Sequence, residues 1–178
     1  MKKEVYEIQV KKALEMYEKA GIILSDEEKK NIEVADLGLN NVENVGLQIL
    51  TYINTERVCA KEMVLMPFQT CPEHKHVPTN GMEGKEETFR CRYGKVYLYV
   101  PGEGKKEDIK ARIPETDVSY FHEIILNPGD QYTIMPETWH WFQSGEEGAV
   151  ISEFSTRSTD ETDVFTDKRI VREPVIED

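Results

Sequence analysis

Two histidines stand two residues apart in the stretch Cys71-Pro72-Glu73-His74-Lys75-His76-Val77-Pro78. On an extended segment, side chains two apart point to the same side. His74 and His76 can therefore grip one ion from a single backbone edge. A bare pair of this kind is more often two exposed loop histidines, so its context has to carry the weight. Eleven residues beyond His76 comes Glu87, opening the run Glu87-Thr88-Phe89-Arg90-Cys91. Alternation along a strand puts Glu87 on the apolar face with Phe89 and Cys91, and turns Thr88, Arg90 and Arg92 the other way. A carboxylate on a buried face needs a partner, and a metal ion is a common one. Glu86 competes for this role but falls on the Thr88/Arg90 face. The third element runs from Gly129 through Met135-Pro136-Glu137-Thr138-Trp139 to His140. Taken alone, His140 would read as a core histidine. Taken together, imidazoles and one carboxylate without a thiolate suit Mn²⁺, Fe²⁺, Co²⁺, Ni²⁺ or Zn²⁺.

Something must hold these side chains together, and the chain is long enough to do so. Its 178 residues fit one domain, with room for a full core. Lys and Arg number 22 against 34 Asp and Glu, a formal charge of −12. That balance argues against a nucleic-acid binder, which needs a basic face, and against an anionic membrane surface. No apolar run approaches the roughly 20 residues of a membrane span. The first residues enter an amphipathic pattern with no apolar signal core. The cysteines Cys59, Cys71 and Cys91 lack CxxC spacing, so a reducing cytoplasm is the expected compartment.

Residues 4–20 have a helical period, with Ile8, Ala13, Leu14 and Tyr17 on one stripe, and Gly21 stops the helix. Ser25 and Glu28 form a capping box that predicts a second helix over about 26–34. Gly38-Leu39-Asn40-Asn41 reads as a turn. From Gly46 onward, short apolar runs predict strands near 46–54, 57–66, 86–92, 95–100, 121–126, 131–134, 139–143 and 148–155. Arg92-Tyr93-Gly94-Lys95 predicts a tight hairpin, and Asn127-Pro128-Gly129-Asp130 another turn. Residues 101–119 read as a solvated loop, and the chain after Ser155 as an acidic, polar tail. Many short strands with turn signals predict a sandwich or barrel. The division this suggests is a helical region over 1–44, packing on a β-barrel over 45–178 that ends in the tail.

The motifs now resemble those of the cupins. The first cupin motif is HxH, then Glu, then six residues and Gly, matched by His74-Lys75-His76, Glu87 and Gly94. The gap from His76 to Glu87 is longer than is common. The second is matched by Gly129, Pro136-Glu137-Thr138 and His140, with Thr138 where the pattern has Gly. The resemblance implies a mainly β, double-stranded β-helix (jelly-roll) barrel, here preceded by the two helices read above, with a metal held by His74, His76, Glu87 and His140. Finer stretches resemble the bacterial D-lyxose ketol-isomerases: Cys59-Ala60-Lys61-Glu62-Met63, Cys71 to His76, Gly84 to Cys91, and Ser152-Glu153-Phe154-Ser155-Thr156.

That family interconverts D-lyxose and D-xylulose with a divalent metal, typically Mn²⁺. The resemblance thus implies a sugar substrate, with D-mannose and D-fructose as a possible second pair. The chemistry needs a dication on the sugar oxygens, a carboxylate that shuttles a proton between C1 and C2, and a cation near the oxygens. Glu153, in the nearly apolar run Ala149 to Phe154, is the candidate base, and Lys61 the candidate cation. Lys85 ranks behind Lys61. Asp160 and Asp163 can reach sugar hydroxyls if the tail folds back, although such acidic runs are more often solvated. Trp139, Trp141 and Phe142 are expected in the core or at a dimer contact more than on a sugar. By analogy with cupins a homodimer is expected. Two other readings share the donor set: a cupin Fe-dependent dioxygenase, and a non-catalytic sugar-binding cupin.

Overall fold

The structure is a computed structural model that describes residues 1–173 and 175–177. Its elements are one α-helix, α1 (Lys3–Lys19), and nine strands: β1 (Glu33–Ala35), β2 (Leu47–Asn54), β3 (Cys59–Leu65), β4 (Thr70–Lys75), β5 (Glu87–Val100), β6 (His122–Leu126), β7 (Gln131–Ile134), β8 (His140–Ser155) and β9 (Val164–Phe165). The mainly β barrel is as expected. The path β1-β2-β3-β8-β4-β9 carries one side of the sheet, while β5 pairs with β6, β7 and β8.

The ribbon of β5 and β8 organises everything else. Its antiparallel register runs from Glu87↔Ser155 to Tyr99↔Trp141. Laid flat, a ribbon with the length of β5 would span roughly 45 Å at about 3.3 Å per residue. Yet Glu87 at one end and His140 at the other approach to 3.0 Å through Oε1 and Nε2. The ribbon must therefore coil on itself, and its inner face encloses the core of Leu47, Ile49, Met63, Leu65, Phe89, Leu98, Phe142 and Ile151.

Several local readings are corrected by this architecture. Arg92–Lys95 is no hairpin; β5 runs straight through, with register shifts between Cys91 and Tyr93 and between Gly94 and Val96. Likewise 139–143 and 148–155 join as β8. Gly94 (φ +71°) and Gly148 (φ +77°) face each other at this corner, where a methyl on Gly94 would run into the Gly148 carbonyl oxygen. Gly94→Ala is accordingly expected to cost about 1–3 kcal/mol through backbone strain, read as a lower urea midpoint at unchanged m-value. An unchanged midpoint would show that the corner relaxes freely.

Only one α-helix forms among the described residues, not two. The capping box is real, with Ser25 N–H donating to Glu28 Oε2 at 2.7 Å and Glu28 N–H to Ser25 Oγ at 3.2 Å. It closes just the 3₁₀ turn Glu28–Lys30. Ile32 and Val34 are then buried with strand periodicity, and β1 pairs with β2. The helix stripe also shifts. Ile8 is exposed, and the buried face is Gln9, Ala13, Met16 and Tyr17. Gln9 tolerates burial because its amide bonds Glu43 at 2.8 Å and Gln48 at 3.2 Å. The turn at Asn127–Asp130 forms as read, closed by Asp130 N–H to Asn127 O at 2.8 Å. The loop over 101–119 is largely exposed, but Ala111 packs with Trp141 and Tyr99.

Candidate metal centre and cavity

β4 carries the HxH pair and needs an irregularity to do so. Cys71 pairs with Phe142 and His74 with His140, with a register shift between. The extra residue around Pro72 lets Cys71 and His74 face the same way, and both line the cavity with His76. Glu73 is turned to the other side, where it accepts from Ser119 N–H at 2.8 Å, Tyr120 N–H at 3.0 Å and Thr166 Oγ1 at 2.7 Å. It thereby ties both the long loop and the tail to β4. Glu87, which opens β5, is buried and Glu86 just before it exposed, as alternation requires. His140 opens β8 after the Pro136 turn. The left-handed residue of that turn is Glu137 (φ +58°) and not Thr138.

The structure brings His74, His76, Glu87 and His140 together, with donor atoms all within 4.8 Å of one another. The hydrogen bonds around them settle which ring nitrogens point inward. His74 Nδ1 lies 2.8 Å from Pro72 O, His140 Nδ1 3.0 Å from Thr138 O, and His76 Nδ1 2.6 Å from Asp163 Oδ1. Carbonyl oxygens only accept, so His74 and His140 carry Nδ1–H, and the Asp163 carboxylate favours the same for His76. Each Nε2 is then turned toward the centre, that of His76 lying 3.0 Å from Glu87 Oε1. His140 Nε2 is buried and lacks a hydrogen bond; its 3.0 Å approach to Glu87 has no bonding angle. Burial, with His140 and His76 nearby, pulls the His74 imidazole well below its usual range, keeping it neutral. Burial also pulls His76 down and Lys85 adds to this, but Glu87 and Asp163 outweigh them and lift it to about 9. Inward-facing imidazole nitrogens beside a carboxylate, that of His140 buried without a hydrogen bond, are what a divalent ion requires. The side chains present fit such an ion.

Beside this cluster lies a second one, of charges. Lys85 Nζ sits 2.8 Å from Glu87 Oε2, 3.1 Å from Glu153 Oε1 and 3.2 Å from Asp160 Oδ1. Lys61, opposite Glu153 in the β3–β8 register, donates to Asp160 Oδ2 at 2.5 Å and Ser158 Oγ at 2.8 Å, and lies 3.8 Å from Glu153. Arg172 bridges Asp160 at 3.4 Å and Glu33 at 2.6 Å. Burial disfavours the charged amine of Lys85, yet Asp160, Glu153 and Glu87 hold its pKa well above the lysine range. Burial likewise opposes ionisation of Glu87, but Lys85 and His76 hold its carboxyl well below the usual range. The cavity has about 420 Å³ of empty space, part of it open to solvent. Its walls combine these polar groups with apolar ones such as Leu47, Ile49, Phe89 and Phe165. Four lining carboxylates (Glu87, Glu153, Asp160, Asp163) interleave with the lining cations Lys61, Lys85 and Arg172.

Every sequence-predicted side chain thus lines or adjoins one cavity. Lys85 is more central than its rank suggested, touching three carboxylates where Lys61 touches two. The tail is no solvated run, since Asp160, Asp163, Phe165 and Arg172 all turn inward. Sequence reasoning missed Ser158 and Arg172. The apolar pair Val164-Phe165, which becomes β9, was the available signal that the tail folds back. Trp141 is a core residue stacked on Tyr99 at 3.9 Å, and Phe142 packs edge-on to Phe89 at 4.9 Å.

The sequence model of a family described as D-lyxose isomerase matches residues 19–178. A D-lyxose/D-mannose isomerase of Thermosediminibacter oceani is 62% identical over 99% of this chain and 98% of its own. A D-lyxose ketol-isomerase of a Thermofilum species is 55% identical over 98% of each chain. Among solved structures, the L-ribose isomerase of Cellulomonas parahominis superposes with a TM-score of 0.75, covering 99% of this chain and 98% of that one at 14% identity. At that identity the likeness speaks for the fold, the cupin barrel. No helix among the described residues is long and apolar enough to cross a membrane.

Proposed function

We infer from this chain, which belongs to the D-lyxose isomerase family, that the cavity is the active site of an aldose–ketose isomerase. It interconverts D-lyxose and D-xylulose, with D-mannose and D-fructose as a second pair. The observation that carries the mechanism is that Glu153 and two lysines reach into the same cavity as the four converging donors. Neither a dioxygenase nor a binding-only role is favoured by relatives that are isomerases.

In our reading His74, His76, Glu87 and His140 hold a divalent ion, with Mn²⁺ first among the candidates. Such an ion, when bound, supplies Lewis-acid stabilisation of the negative charge that develops on the sugar oxygens. The remaining work falls to the chain. Glu153 takes the proton from C2 of the aldose and returns it to C1, while the proton of the C2 hydroxyl passes to the C1 oxygen, giving the ketose. Lys85 fixes the Glu153 carboxylate, and Ser155 Oγ, 3.1 Å from the same oxygen, helps orient it. Lys61 places a second positive charge beside Glu153 and steadies Asp160. The apolar walls limit water around the transferred proton.

The same reading takes residues 1–44 as a region packing on a barrel over 45–178, the protein as a cytoplasmic homodimer, and its partner as a free sugar. The deciding experiment is a panel of pentoses and hexoses supplied anaerobically with Mn²⁺. D-Lyxose is expected to give D-xylulose with no oxygen consumed. Sugar binding without any ketose, or turnover that needs O₂, would overturn the assignment.

A further inference from the structure

Of the three imidazoles in the cluster, two are fixed by backbone close to them in the chain and one is not. His74 and His140 each bond a carbonyl two residues back. The partner of His76 Nδ1 is Asp163, 87 residues further along the chain. We propose that Asp163 is the positioning residue of the metal centre: delivered by the folded-back tail, it fixes the ring orientation and tautomer of His76 and so sets the affinity for the divalent ion. This rests on reading the His/Glu cluster as a metal site.

The delivery is a matter of register. β9 adds to β4 antiparallel, with Phe165 opposite His74 and Val164 opposite Lys75. Continuing the register by one step sets Asp163 opposite His76. Side chains directly opposite in an antiparallel pair share a face and nearly touch. Asp163 Oδ1 accordingly lies 2.6 Å from His76 Nδ1, with both side chains only 6% exposed. A strand of just two residues gains little from its own hydrogen bonds, so its alignment matters mainly for what it carries. The backbone that carries it is tied down as well. Asp163 N–H donates to Asp160 O at 3.2 Å, and the neighbouring Thr162 Oγ1 meets Thr79 Oγ1 at 3.1 Å. Asp163 does not belong to the converging four-donor set; it groups instead with His76 and Asp160. Its place is therefore behind the ring. A carboxylate there holds the proton on Nδ1, leaves the Nε2 lone pair for the ion and makes it a stronger donor. Without it, His76 is free to turn or to change tautomer.

The test is a titration of metal-free wild type, Asp163→Asn and Asp163→Ala with Mn²⁺ alone, following free Mn²⁺ by electron paramagnetic resonance. Asp163→Ala is expected to bind Mn²⁺ about 10–100-fold more weakly. Asp163→Asn should fall between, because its amide oxygen still accepts the Nδ1 hydrogen but carries no charge. It also preserves shape, so its metal-free unfolding midpoint should match wild type, which separates positioning from a general loss of structure. At saturating Mn²⁺ both variants should regain most of their turnover. Equal Mn²⁺ affinity in all three proteins would overturn the proposal. So would a raised KM for sugar at unchanged metal affinity, which would make Asp163 a substrate contact. Wild type that binds no divalent ion would instead remove the metal-centre reading itself.

Discussion

Replacing Glu153 by Gln is expected to lower turnover of D-lyxose by about 10²–10⁴-fold, the range a general base contributes, with no change in bound metal. The expectation comes from how the carboxylate is held. Glu153 is 2% exposed on β8 and faces the cavity. Among the described residues, all its hydrogen bonds and ion pairs fall on Oε1, through Lys85, Lys61 and Ser155. Oε2 is left for a proton. Glutamine keeps the volume and the Oε1 contacts, so the barrel and the four-donor cluster should stand. What it loses is the ability to take a proton from carbon. The informative measurement pairs kcat with metal content on the same sample. Near-normal turnover with a full complement of metal would move the base to Asp160 or Asp163. A loss of metal together with turnover would show that the Lys85 bridge couples the base to Glu87 too tightly for the substitution to isolate it.

Removing the divalent ion should have the larger effect on the molecule as a whole. Chelation is expected to abolish sugar exchange and to lower the unfolding midpoint, both reversed by Mn²⁺. A ligand present at about 100–1,000 times its Kd stabilises the folded state by about 2.7–4.1 kcal/mol, and the midpoint should follow metal concentration accordingly. His140→Ala separates the site from the solution. It deletes a fully buried imidazole whose Nε2 has no hydrogen bond, so added Mn²⁺ should restore neither activity nor midpoint. Its metal-free midpoint also drops through the cavity left behind, and the comparison must therefore be the response to Mn²⁺ and not the absolute value. A chelated wild type that still turns over sugar would remove the ion from the mechanism.

Much of this site was legible before any coordinates because strands betray their faces. Alternation alone separated Glu87 from Glu86, and the spacing of His74 and His76 set both on one edge. Glu153 stood out as an acid in an apolar run. Local signals failed where a longer-range contact outweighed them. Ser25 and Glu28 cap a single turn because Ile32 and Val34 gain more by joining the sheet under α1. Gly94 looks like a hairpin glycine, but its left-handed backbone serves a corner where β5 passes Gly148. The tail was hardest to read. Asp160, Asp163 and Arg172 have the composition of a solvated segment, and only their partners Lys61, Lys85, His76 and Glu33, all distant in sequence, explain their burial.

The coiling of the β5–β8 ribbon bears on the order in which this molecule comes into being. The ribbon itself pairs Glu87 with Ser155, and its end-to-end closure joins Glu87 to His140, contacts between residues far apart along the chain. Loop-closure entropy opposes such contacts until enough of them form together, which makes strand pairings of this kind slow to nucleate. His74 and His76 are neighbours from the start, but the other two donors arrive only when the coil shuts. A partly folded chain therefore carries every donor of the centre without being able to hold an ion among them.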